Sequence, residues 1–183
     1  CDGTQVTTEA LAQRLADRAR RIDVVPNQLQ ELPALRFFPA AAPPSAERPL
    51  VIGWGGSIGH QEDLRTISPA LIAWLERQRH VRFELMCDPL LAEPFAALDA
   101  ERFRFTMAGS LADYLAWLER LDIGLAPLLP TEFNRCRSDV KFLEYASRSV
   151  AAVLQNLDPY RHLSGTGAAL LFDNTDGLIH QLE

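Results

Sequence analysis

Residues 134–144 read Asn-Arg-Cys-Arg-Ser-Asp-Val-Lys-Phe-Leu-Glu, so Arg135, Arg137 and Lys141 stand close together against one intervening acid, Asp139. Ser138 is of a type that caps helices, and the pattern after it predicts a helix from 139 to about 147. A lysine in the first turn of a helix is opposed by the partial positive charge of the helix start. The placing makes sense where an anion also sits, because free N–H groups and cations together hold phosphate. Glu144 lies one turn beyond Lys141 on the same flank, and Val140, Leu143 and Ala146 are expected to face a sheet. A carboxylate repels phosphate, but it accepts hydrogen bonds from ribose hydroxyls. The same spacing suits an ordinary i,i+3 Lys–Glu surface pair, and spacing alone allows both readings.

A second stretch of the same kind is Gly55-Gly56-Ser57-Ile58-Gly59-His60. It follows an apolar run at 50–54 and precedes a helix predicted over 62–79, with Leu64, Ile67, Leu71, Ile72 and Leu75 inward. Glycines let a backbone approach phosphate, and the helix start after them attracts negative charge. The spacing is neither Gly-x-Gly-x-x-Gly nor a Walker loop, and a tight strand-to-helix turn explains it equally well. His60, three residues before Asp63, also suits a capping or packing role.

Positioning these residues requires a frame. Short apolar runs at 2–7, 22–25, 50–54, 82–87, 103–106, 122–126, 150–154 and 168–172 read as strands. Helical patterns lie between them at 9–20 (capped by Thr8), 62–79, 90–98, 111–120 with Leu111, Leu115 and Leu118 as its stripe, 139–147, a short one at 157–162, and one from Thr175 onward. Residues 28–49 are rich in proline and alanine and read as an irregular connector; residues 130–137 read as a polar loop. This alternation specifies an α/β fold with a doubly wound parallel sheet, in which ligands bind at the strand carboxyl ends. Both candidate anion sites follow such ends. Trp54, Trp74 and Trp117 either pack or line the cleft.

The chain has 183 residues, 48% of them hydrophobic, and a net charge of −6. An acidic surface argues against a nucleic-acid partner, and the cluster around Arg135 becomes a local exception that favours a small anion. Three cysteines, Cys1, Cys87 and Cys136, form no framework, which points to a reducing, cytoplasmic setting. No apolar run reaches the ~20 residues that span a bilayer, which leaves room only for peripheral membrane contact. No Asp-x-Asp or His/Cys ligand set is present, so no metal is expected. The start without methionine and the end inside a predicted helix read as a piece of a longer protein.

Asp-Ile-Gly-Leu-Ala-Pro-Leu at 122–128, then Asn134, then Ser-Asp-Val-Lys-Phe-Leu-Glu-Tyr-Ala at 138–146 resembles the donor-binding half of a GT-B glycosyltransferase. The group it resembles most is the large retaining family known as glycosyl transferases group 1. The resemblance spans most of the chain in the right order. It implies a Rossmann-like C-terminal domain at 50–183, with 1–49 as the crossover from a missing N-terminal acceptor domain. It implies that Glu144 bonds ribose and that Asn134, Arg135, Arg137, Ser138 and Lys141 surround the diphosphate. By the same resemblance Gly55, Gly56, Ser57 and His60 contact donor phosphate or sugar, and 107–110 receive the base. The implied activity moves a sugar from a UDP- or GDP-type donor, without metal or cofactor. Lys141 and Arg135 or Arg137, with the Gly55–Ser57 amides, would stabilise the leaving diphosphate. The piece alone, lacking an acceptor domain, is expected to be inactive.

Two positions depart from that family's pattern. Cys136 stands where a first glutamate precedes the second by eight residues, and Ser149-Val150-Ala151 replaces a small-Gly-x-Pro turn. Both support a second reading, a degenerate module that binds without catalysing. A third, a dinucleotide oxidoreductase with Asp88 as its ribose acid, fails on the glycine spacing.

Overall fold

The computed structural model describes residues 2–29 and 43–183. Its centre is a six-stranded sheet built from β3 (Leu50–Gly55), β4 (Val81–Cys87), β5 (Phe103–Met107), β6 (Ile123–Ala126), β7 (Ala151–Gln155) and β8 (Leu170–Phe172). The strand order is β5-β4-β3-β6-β7-β8, and every pairing is parallel. Apolar runs of this kind form such strands because both faces of the sheet are covered. The doubly wound sheet expected from the sequence is present. Before it, β1 (Thr4–Val6) and β2 (Ile22–Val24) make a separate parallel pair across α1 (Glu9–Leu15). Most of the predicted connector, residues 30–42, lies outside the described residues, as does Cys1.

Alternate strand residues feed two cores. Ile52, Trp54, Phe83, Leu85, Leu125 and Val153 point to one face, where α2 (Gln61–Leu75) and α7 (Thr175–Leu182) cover them. Met86, Ala126, Ala152 and Leu154 point to the other, beneath α4 (Leu111–Leu118) and α6 (Val140–Ser147). Each fully buried Leu or Phe contributes about 1.5–3 kcal/mol of hydrophobic stabilisation. All three tryptophans are buried, so they pack and do not line a cleft.

Several elements differ from the sequence reading. The helix predicted over 9–20 stops at Leu15, where it has buried no residue that would carry it further. The one predicted over 62–79 runs Gln61–Leu75 behind a 3-10 turn at Ile58–His60. That predicted over 90–98 breaks into α3 (Pro89–Ala92) and a 3-10 turn at Glu93–Phe95, because Pro94 has no N–H to continue the ladder. The polar loop at 130–137 contains one helical turn, α5 (Glu132–Arg135), whose start is capped by the Thr131 side chain. On α4 the inward residues are Trp117 and Leu118 with Tyr114 beside them, while Leu111 is 66% exposed.

Candidate functional site

Chain progression reverses between β3 and β6: β4 and β5 lie to one side, β7 and β8 to the other. The two strands are paired only at Ile52↔Ile123 and Gly53↔Gly124, ahead of their carboxyl ends. Such a switch point opens a crevice for ligand. The glycine loop enters it from β3, and residues 127–139 enter it from β6.

The helix α6 is seated there by Tyr145, which is fully buried and donates its hydroxyl to the Leu125 carbonyl at 2.7 Å. Its ring lies where Gly124 has no side chain: a Cβ at 124 would stand 2.4 Å from Tyr145 Cε1. This overturns the expected facing of the helix, since Val140 and Ala146 are exposed and Tyr145 is the packing residue. Lys141, one turn before Tyr145, therefore lies toward the sheet side. Ser138 does not cap the helix either. Asp139 is the N-cap without a side-chain cap bond, and Ser138 Oγ instead accepts from Asn27 Nδ2 at 2.6 Å. The first amides of α6 are thus left free of any side-chain cap.

Lys141 and Glu144 do form an ion pair, 3.0 Å apart, but with side chains only 19% and 21% exposed. Tyr114 completes the group: its hydroxyl donates to Glu144 Oε2 at 2.9 Å and accepts from Lys141 Nζ at 2.7 Å. Burial lowers the Lys141 pKa, with Arg137 adding to the effect and Glu144 opposing it. Burial also raises the Tyr114 pKa, helped by Tyr145 and Glu144, so its hydroxyl stays protonated as a donor. Tyr114 is admitted by Gly55, where a Cβ would lie 2.7 Å from the Tyr114 ring. Tyr114, Lys141 and Glu144 line a cavity of about 290 Å³ with Gly56, Ser57 and the Ala108-Gly109 loop.

Lys141 is also part of the wall of a second cavity, again about 290 Å³, with His60, Cys136, Arg137, Ser138 and Tyr160. Thr7 and Leu11, from the start of the chain, close one side of it. That segment is tied down by Thr8 Oγ1, which donates to the Cys136 carbonyl at 2.8 Å. Arg137 is placed by its Nε bond to Asn134 Oδ1 at 3.0 Å and by stacking 4.6 Å over the Phe133 ring. Asn134 is buried and donates through Nδ2 to Asp63 Oδ1 at 2.8 Å and to the Leu129 carbonyl at 3.0 Å. Asp63 is 5% exposed and also accepts from Leu129 N at 2.7 Å and from His60 Nδ1 at 2.9 Å. Burial alone would raise the Asp63 pKa; hydrogen bonds from His60, Leu129 and Asn134 outweigh it, and the carboxyl lies below its ordinary value.

No family model matches the sequence, and no curated protein does. Solved structures do match in shape. The apo lipopolysaccharide outer core galactosyltransferase WaaB aligns over 100% of this chain and 52% of its own, with a TM-score of 0.62 at 15% identity. The pneumococcal O-GlcNAc transferase GtfA, in complex with UDP and GlcNAc, aligns over 99% of this chain and 36% of its own, with a TM-score of 0.61 at 13% identity. The C-terminal CMP-Kdo binding domain of WaaA from Acinetobacter baumannii aligns over 74% of this chain and 79% of its own, with a TM-score of 0.54 at 12% identity. The fold is that of the C-terminal domain of a GT-B glycosyltransferase. The chain spans about half the length of the WaaB structure and about a third of GtfA.

On this fold the sequence-read residues fall into three sets. Gly56, Ser57, Lys141 and Glu144 share one cavity; His60, Arg137, Ser138 and Lys141 share the next. Gly55 lies beneath Tyr114, and the Gly56 amide donates to the Met86 carbonyl at 3.2 Å. Asn134 stands behind the second cavity and supports Arg137. Arg135 lines neither cavity; it pairs with Asp158 at 3.0 Å in an adjoining surface cleft that shares Thr7, Arg137 and Ser138 with the cationic one. Asp88, the ribose acid of the oxidoreductase reading, accepts from the Leu90 amide as the cap of α3. Sequence reasoning missed Tyr114 and Asp63. The signal for Tyr114 was its i,i+3 spacing from Trp117 behind a Ser110–Asp113 capping box. For Asp63 there was the His-x-x-Asp spacing alone, which a capping or packing role for His60 already accounts for.

Proposed function

We propose that this domain binds the nucleoside diphosphate part of a sugar donor and, within a longer protein, serves transfer of that sugar to an acceptor. The observation that carries the reading is the placing of Lys141 in the wall common to two cavities. One cavity is cationic and faces the uncapped start of α6, which suits a diphosphate. The other offers the Glu144 carboxylate and Tyr114 hydroxyl for ribose, with Ala108-Gly109 beyond them for a base. In the reaction the bond from sugar C1 to the phosphate oxygen breaks and a bond from the acceptor oxygen to C1 forms. The nucleoside diphosphate departs with the electron pair, and its leaving phosphate oxygen takes up the proton that the acceptor hydroxyl gives up. Lys141 and Arg137 would neutralise the charge that develops on it, a fixed electrostatic contribution in a partly dry site. Arg135, paired to Asp158, would act on that charge only from a distance.

The alignment with GtfA, a structure containing UDP and GlcNAc, supports a UDP-type donor, with a GDP type as the close alternative. The acceptor would be held by a further domain, in keeping with a chain half the length of WaaB. Calorimetric titration tests the site. Lys141→Ala should weaken nucleoside diphosphate binding about tenfold or more, since hydrogen bonds to charged groups are worth about 1.5–3 kcal/mol. Glu144→Ala should weaken the nucleoside diphosphate while leaving pyrophosphate nearly unchanged. Unaltered affinity in both variants would remove the assignment. Cys136 in the cavity wall, where the resembling family has a glutamate, favours the second reading of a binding module without catalysis. Hydrolysis of a nucleotide sugar by the longer protein separates the two.

A further inference from the structure

Two of the chain's three tyrosines have a hydrogen-bond acceptor: Tyr145 donates to the Leu125 carbonyl and Tyr114 to Glu144. Tyr160 does not. Its hydroxyl makes no hydrogen bond among the described residues, although the residue is only 2% exposed. The ring packs in the core with Leu157 and Leu163, in the turn after β7 where Tyr160 N donates to the Leu157 carbonyl at 2.9 Å. Tyr160 also lines the cationic cavity. Burial raises its pKa, with Arg137 of the same wall opposing, so the hydroxyl remains a donor and stands toward that cavity. A buried hydroxyl without a partner is uncommon in folded chains, and a bound molecule that accepts from it would account for this one.

The rest of the wall narrows what that molecule is. Phe133 and Val140 are 67% and 37% exposed there, with half-buried Leu11 beside them. No carboxylate or side-chain amide is among the described residues of the wall. Ser138 Oγ already accepts from Asn27 Nδ2, and Arg137 and Lys141 are donors only. The wall thus supplies donors and apolar surface, and few acceptors for the hydroxyl protons of a plain hexose.

We propose that the transferred sugar is an N-acetylated hexosamine, whose acetamido carbonyl accepts from Tyr160 while its methyl group lies against Val140, Phe133 and Leu11. This rests on the donor-site reading above. The sugar is bonded to the diphosphate, so it lies beside it in the cationic cavity, on the side away from Glu144. An acetamido group matches both halves of the wall, with an acceptor oxygen for the unpaired donor and a methyl group for the apolar surface. A hexuronate carboxylate would also accept from Tyr160. It would add a second anion where Lys141 is already balanced by Glu144, and would set a solvated charge against apolar side chains. A neutral hexose would leave the apolar wall uncovered.

The test is calorimetric titration of this chain with UDP, UDP-glucuronate and two pairs of sugar nucleotides. The pairs are UDP-N-acetylglucosamine with UDP-glucose, and UDP-N-acetylgalactosamine with UDP-galactose. In at least one pair the acetamido sugar should bind about tenfold more tightly than its parent hexose, about 1.4 kcal/mol. Tyr160→Phe keeps the ring and should shrink that ratio to about threefold or less, while leaving the affinity for UDP itself unchanged. Val140→Thr, which keeps the shape and replaces a methyl group by a hydroxyl, should shrink the ratio as well. A merely structural Tyr160 would instead lower affinity for every ligand by the same factor, and a ratio unchanged in Tyr160→Phe overturns its role. Equal affinities within both pairs, or tightest binding of UDP-glucuronate, overturn the proposal while leaving the donor site standing. Failure of UDP to bind the parent chain at all overturns both. The comparison within each pair uses the parent chain, so it does not depend on any variant folding.

Discussion

Ser149 has a φ of 60°, in the left-handed region, where the end of α6 turns into β7. The turn is closed by Ser149 N donating to the Ala146 carbonyl at 3.1 Å and Val150 N to Tyr145 at 3.0 Å. A side chain in this conformation costs about 1–2 kcal/mol, which glycine avoids. In the sequence, serine stands where the resembling family has glycine, but the backbone angle that makes the difference matter is visible only in the fold. Ser149→Gly should therefore stabilise the domain by about 1 kcal/mol, less glycine's larger unfolded-state entropy. A denaturation midpoint that stays put or falls would contradict this. Lys141 and Glu144 were legible as a pair, and their partner Tyr114 was not. A tyrosine donates to any acceptor within reach, and its sequence spacing from Glu144 says nothing of that distance.

At the level of elements, α6 is held against the sheet by one aromatic ring over one glycine. Gly124→Ala would press a methyl group into the Tyr145 ring. Overpacking of this kind costs about 1–3 kcal/mol, and relief by tilting α6 would move Lys141 with it. The variant should melt earlier and bind nucleoside diphosphate more weakly, whereas Tyr145→Phe, losing one buried hydrogen bond, should cost about 1 kcal/mol with less effect on binding. Equal binding losses in the two variants would argue against transmission through the helix. The strands were read correctly because buried parallel strands are continuous apolar runs. Helix ends were read poorly, since Pro94 and the unpacked tail of α1 set them through missing bonds and missing contacts. The packing face of α6 was misread because a three-residue apolar spacing at 140, 143 and 146 competed with a single larger residue at 145.

Across the whole molecule, Asp63 joins the two halves of the sheet's ligand edge, linking α2 to the loop that precedes α5. Its pKa is lowered in the folded chain from an ordinary 3.8. The unfolded chain therefore binds a proton more readily in that range, and stability rises with pH. The contribution is fully present above about 3.8 and is lost as pH falls through the lower, folded value. Acid unfolding of Asp63→Asn should accordingly be less steep with pH than that of the parent chain. Parallel slopes for the two proteins below pH 4 would refute the assignment. The overall topology was legible because alternating strands and helices leave few ways to wind a sheet. The meeting of residues 63, 129 and 134 was not, since long-range convergence onto one carboxylate leaves no local pattern.

Every strand pairing among the described residues is parallel. No hairpin can therefore form early and template the rest, and each ladder must wait for a complete helical crossover. The central junction is the extreme case: Ile52 meets Ile123 only after two whole strand–helix units have been made between them. Refolding should be slow for a chain of this size, on the order of milliseconds to seconds or longer, with a collapsed intermediate rather than a single exponential. Stopped-flow fluorescence of a variant with Trp74→Phe and Trp117→Phe, which keeps Trp54 beside that junction, would report its closure as the last phase. The crevice between β3 and β6 is then the youngest part of the molecule each time it folds.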